Sequence, residues 1–179
     1  MVRPSISSLN GRSAGRGLLA GALATVPMSG VIALGWLTGL LRTPPPEEVS
    51  ANALESAMYQ TGDVLELPEF AVAPAFDSPA AFQAGWIVAH LVYGALCGLV
   101  FVGLQASVPA APRRPLGIGF GLLVWLGSYL GLLPALKLYP RPEADSPGRV
   151  VTMIVAHVVF GLSLAEFDRQ LEARGLHRL

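Results

Sequence analysis

Charge is scarce in this sequence: Asp, Glu, Lys and Arg together make up 13% of its 179 residues, about half the share of an ordinary soluble domain. So few charges do not cover the surface of a soluble protein of this length. Cysteine is nearly absent. The lone Cys97 excludes an intramolecular disulfide and any Cys-x-x-Cys centre. The sequence also lacks a Walker glycine loop ending in Lys-Ser or Lys-Thr, a Gly-x-Ser-x-Gly elbow, a His-Glu-x-x-His pair, and any carboxylate within its long apolar runs. No catalytic residue is therefore assigned, and the chain reads as a non-enzyme. No basic block interleaved with aromatics recommends nucleic acid as a partner.

What is present is apolar: 53% of the residues are hydrophobic, and they are gathered into four runs. At 1.5 Å per residue each run is long enough, or nearly so, to cross a hydrocarbon core of about 30 Å. The spans are residues 17–41, 83–105, 116–137 and 149–167. Between them lie an N-terminal tail (1–16), a long acidic loop (42–82), a short loop (106–115), a second outer loop (138–148) and a C-terminal tail (168–179). A cleaved signal peptide is not expected at the N-terminus, because the first apolar run far exceeds a signal core and Ala22-Leu23-Ala24 lies near its start. The lipid bilayer is the first partner the sequence implies.

Arg3, Arg12, Arg16, Arg113, Arg114, Arg169, Arg174 and Arg178 fall on one side of this arrangement, against Arg42, Lys137, Arg141 and Arg149 on the other. The positive-inside rule then puts both termini in the cytoplasm. The long loop lies outside. Its Thr43-Pro44-Pro45-Pro46-Glu47-Glu48 start predicts a short amphipathic helix, and the prolines at 68, 74 and 79 predict an extended strap beyond it. Trp36, Trp86, Tyr139 and Tyr129 read as interfacial anchors, and Trp125 as a packing residue.

A motif recurs. Ala89-His90-Leu91-Val92-Tyr93-Gly94 in span two matches Ala156-His157-Val158-Val159-Phe160-Gly161 in span four, and Gly17-x-x-x-Gly21 matches Gly117-x-x-x-Gly121. The pattern predicts an all-α integral membrane protein, a four-helix transmembrane bundle made of two repeated helical hairpins. A parallel repeat relates its copies by an axis along the membrane normal, which would bring His90 and His157 to similar depth, facing each other.

An intramembrane histidine is a functional candidate, because ionisable groups in lipid are costly and rare. It is equally a packing fastener, donating to a neighbouring carbonyl beside a glycine. No cofactor is predicted outright. Haem or a transition metal ligated by His90 and His157 is the alternative, since imidazole suits both and a four-helix bundle can contain either. Helix packing is assigned to Gly17, Gly21, Gly94, Gly98, Gly127, Gly131 and Gly161, whose spacing lets backbones approach and favours a homo-oligomer or a membrane-protein partner. Pro27 removes a hydrogen bond within span one and predicts a kink.

The glycine-rich first span running on to Pro45-Pro46-Glu47, the Ala89-to-Gly94 segment, and Gly119-Phe120-Gly121-Leu122-Leu123-Val124-Trp125 together resemble the YagU-like group of uncharacterised bacterial inner-membrane proteins. The likeness covers about residues 15–165. It implies a bacterial cytoplasmic-membrane location and a helical bundle, and brings no catalytic residues. The leading expectation is a non-enzymatic accessory or interaction subunit. The alternatives are a haem- or metal-binding protein using His90 and His157, and a small solute or ion transporter with Pro27 and the histidines along its path.

Overall fold

The computed structural model describes residues 11–41, 79–135 and 145–174. The helix proposed within 42–78, Tyr139 and the end of the C-terminal tail lie outside these. The elements are α1 (Gly11–Leu37), α2 (Pro79–Ser107), α3 (Arg113–Trp125) and α4 (Pro147–Ala173). Among the described residues there is no strand. All four helical stretches are long and apolar enough to cross a membrane, α3 reaching that length with the segment that follows it to Leu132.

The helix ends follow from local chemistry. Ser146 caps α4, its hydroxyl accepting the Arg149 N–H at 3.3 Å, with Pro147 at the first helical position, where its missing donor costs nothing. Pro79 likewise opens α2, so it starts a helix where the sequence suggested a strap. Gly39 takes φ 76° after α1, a left-handed conformation that glycine adopts readily. The Leu41 N–H then reaches the Gly35 carbonyl at 3.0 Å, and Leu41 folds back, 2% exposed. All four helices start before their sequence-based spans, and α2 and α4 also end beyond theirs. α1 begins at Gly11 and α4 runs to Ala173, so Arg16 and Asp168, both assigned to tails, are helical.

α3 passes into a π-helical segment, Leu126–Leu132, and then a single α-turn, Leu133–Ala135. Such wide turns are rare and need a local cause. Ser128 donates its hydroxyl to the Val124 carbonyl at 2.6 Å, and Pro134 can give no N–H to the carbonyl of Leu130. Tyr129, within this segment, is 3% exposed and stacks on Trp125 at 5.7 Å between ring centroids. It is a buried residue, not the interfacial anchor suggested by its position near a span end.

α1 packs extensively on both α2 and α4, α3 packs on α4, and α2 meets α3 along a narrow seam. That seam holds the tilted Phe101–Phe120 ring pair, 5.5 Å apart. The core runs along α1 and α4, through Ala20, Ala24, Met28, Ile32, Met153, Ala156, Phe160 and Leu164. Outward faces remain apolar: Val26, Leu34, Val88, Val100 and Leu123 are each at least 58% exposed.

Candidate functional site: a histidine centre and a charged clamp

His157 sits on the buried stripe of α4 that also holds Met153, Gly161, Leu164 and Asp168, residues three or four apart and so on one face. It is 6% exposed. Its Nδ1 lies 2.8 Å from the Met153 carbonyl oxygen. A carbonyl only accepts, so Nδ1 carries the proton and Nε2 keeps its lone pair. His90, half-buried on α2, lies within electrostatic range of His157. The two histidines stand on helices, α2 and α4, that do not pack extensively on each other. Beside them, Tyr93 interacts with Ser128 across the α2–α3 seam and with Cys97 one turn along α2. The buried Trp125 Nε1 has no hydrogen-bond partner.

The glycines fall into two sets. A Cβ placed on Gly21 would lie 2.0 Å from the Gly94 carbonyl oxygen, and one on Gly98 would lie 2.0 Å from that of Gly17. α1 and α2 therefore touch backbone to backbone, a contact any larger residue would prise apart. In α3 and α4 a Cβ on Gly161 would lie 2.0 Å from the Gly117 oxygen, and one on Gly121 would lie 2.2 Å from the His157 oxygen. Relative to the motif alignment, the second pairing is displaced by one helical turn: Gly21 meets Gly94, whereas Gly121 meets the backbone of His157. A methyl placed on Gly127 or Gly131 would have nothing within 4 Å among the described residues, so no described helix packs closely against these two positions. A four-residue spacing stacks side chains on an α-helix, but these two lie in the wider π segment, where it no longer closes a turn. Pro27 lies inside α1, which runs through it unbroken. The neighbouring Thr25 gives its hydroxyl to the Ala22 carbonyl at 2.7 Å.

A second polar centre, not anticipated from the sequence, ties three helices together. Asp168 is fully buried. Its Oδ1 accepts from Arg16 Nε of α1 at 2.6 Å, and its Oδ2 from Arg113 Nη1 of α3 at 3.3 Å. One turn further along α4, Glu172 accepts from Arg16 Nη1 at 2.8 Å and from Arg113 Nη2. Each guanidinium bridges both carboxylates, and each carboxylate gives one oxygen to each guanidinium. The ring is closed and neutral. Burying charge is costly unless every member is paired and hydrogen-bonded, and this arrangement meets that condition. A legible signal existed: Asp168 and Glu172 are four apart and continue the His157–Gly161–Leu164 stripe towards the C-terminal end of α4.

At the opposite end of α4 a smaller set recurs. Tyr129 donates its hydroxyl to Asp145, and Arg149 lies 3.4 Å from the same carboxyl. This joins the π segment of α3 to the entrance of α4.

The fold defined by these contacts is a four-helix assembly of apolar helices with a buried histidine centre and an ionic clamp. The chain belongs to DUF6789, a family of unknown function, whose model matches residues 11–178. No curated protein and no solved structure was found to match it.

Proposed function

We propose that the chain is a multi-pass integral protein of the bacterial cytoplasmic membrane, with both termini in the cytoplasm, acting as a non-enzymatic accessory or interaction subunit. The observation that carries the membrane reading is the spacing of the charged sets on α4. Arg149 and Asp168 stand about 29 Å apart along the helix, close to the thickness of a hydrocarbon core of about 30 Å. Between them the helices show lipid-compatible side chains, Val26, Val88 and Leu123 among them. Each charged cluster then falls near a membrane surface, where its more exposed members, Glu172 among them, can reach water or headgroups.

The two glycine-closed hairpins, each with an Ala-His-x-Val-aromatic-Gly helix, support an internal duplication. The one-turn displacement between their pairings marks divergence after it. Kinship with the YagU-like group rests on the short motifs of the first three spans. The non-enzymatic reading rests on where the polar groups go: Arg16, Arg113, Asp168 and Glu172 hold helices together, and Thr25 and Thr152 return their hydroxyls to their own helices. Cross-linking in native membranes, followed by identification of what is captured with the intact chain, tests it. Recovery of a second copy or a defined membrane protein fits the reading; purified protein that turns over a substrate in liposomes would overturn it.

A further inference from the structure

Two guanidinium groups meet outside the buried ring. Glu166 of α4 accepts two hydrogen bonds from Arg169, Nε to Oε2 at 3.2 Å and Nη2 to Oε1 at 2.5 Å, and a third from Gln170 Nε2 at 2.9 Å. From the start of α3, Arg114 Nη2 approaches the same carboxylate at 3.6 Å. Two positive charges thus share one negative charge. Arg114 and Arg169 are 74% and 56% exposed, so the N–H donors that Glu166 does not take remain open to a second anion.

The clamp does not supply that anion, because Asp168 and Glu172 are each already shared by Arg16 and Arg113. Nor does α3. Its first turn holds no acidic residue and its N-cap, Pro112, makes no side-chain cap, so the positive end of the helix adds to the same charge.

The neighbouring surface selects the class of anion. Val151, Val155, Leu162, Glu166 and Arg169 recur at helical spacing on one face of α4, and both valines are exposed. On α3, Leu123 is 62% exposed and stands about 14 Å from Arg114 along the helix, close to half of a hydrocarbon core of about 30 Å. The arginine pair therefore lies at the foot of an apolar surface about one leaflet deep. A small soluble anion would use the guanidiniums alone. A phospholipid uses both, its phosphate on the planar forks of the arginines and its chains on the aliphatic side chains.

We propose that Arg114 and Arg169 bind the headgroup phosphate of one anionic phospholipid, with Glu166 holding the two guanidiniums together and the acyl chains lying along the exposed faces of α3 and α4. The site rests on the membrane reading above and is independent of the accessory role. A chain that needs detergent for extraction yet shows no lipid preference fails this proposal and leaves the membrane reading intact.

The test uses full-length protein in a mild detergent, with bound lipid counted by native mass spectrometry during titration with phosphatidylglycerol, and with zwitterionic phosphatidylcholine as the comparison. One phosphatidylglycerol should bind in preference to phosphatidylcholine, and glycerol phosphate, which lacks the chains, should not displace it. Arg114→Gln and Arg169→Gln should each weaken binding about fivefold, and the double variant about thirtyfold, while circular dichroism stays unchanged. Arg12→Gln removes another exposed charge, one turn from Arg16 at the same end of the bundle, and should leave binding unchanged. Equal weakening by Arg12→Gln would mean diffuse attraction and overturn the site. Equal affinity for the two lipids, or displacement by glycerol phosphate, would overturn the lipid.

Discussion

Arg16 and Asp168, 152 positions apart in the chain, meet at 2.6 Å, and through this contact the first helix is fastened to the last. Arg16 is 13% exposed and Asp168 not at all. Removing Asp168 leaves Arg16 and Arg113 sharing the single, partly exposed carboxylate of Glu172, and the loss of one partner from a buried pair costs up to about 3–5 kcal/mol. Asp168→Ala should lose stability in that range, measured by denaturant titration in a fixed detergent. Arg114, 74% exposed and 3.6 Å from Glu166, forms only a surface pair, and Arg114→Gln should change stability by less than about 1 kcal/mol. Equal effects from the two substitutions would refute the clamp.

The glycine contacts predict a second contrast. Gly161→Ala would place a methyl 2.0 Å from the Gly117 oxygen, so the helices must part, at a cost of about 1–3 kcal/mol. Gly21→Ala should behave alike against Gly94. Gly127→Ala, with open space around it, should stay within about 0.5 kcal/mol of wild type in the isolated chain. The same unfolding titration ranks all three.

Tyr129 is joined to the Asp145 carboxyl from within the π segment. Tyr129→Phe keeps the ring stack on Trp125 and removes only the hydroxyl. Loss of a hydrogen bond to a charged group predicts about 1.5–3 kcal/mol, together with faster amide exchange at the start of α4. Unchanged exchange there would show that the bond does not couple the two elements.

Membrane orientation makes a prediction independent of packing. Reporter fusions after Leu179 and within the α2–α3 connection near Pro112 should report the cytoplasm, and fusions within residues 42–78 the outside. The reverse pattern would invert the proposed topology without altering the fold.

Much of the architecture is legible in the sequence because hydropathy is a property of each segment alone. Four apolar runs become four apolar helices whatever they pack against. The spacing of Gly17, Gly21, Gly94, Gly98 and Gly161 is equally local, and these residues do lie where helices touch. Gly127 and Gly131 carry the same spacing but have no described residue packed against them, since the π segment changes the turn beneath them. The histidine motif is legible as a repeat, but that His157 is buried while His90 is only half-buried depends on how α2 and α4 are rotated in the bundle.

The sequence by itself determined how many apolar helices form and where they start and stop to within a turn or two, because composition and local hydrogen bonding dictate these. Tertiary structure alone decided that Arg16, Arg113, Asp168 and Glu172 close a ring and that Tyr129 turns inward. Asp168 and Glu172 continue the stripe of α4, but nothing in the sequence marks Arg16 and Arg113 as the residues they meet. Only the docking of α1 and α3 on α4 brings them within hydrogen-bonding distance, and the high cost of burying Asp168 unpaired favours the docked arrangement.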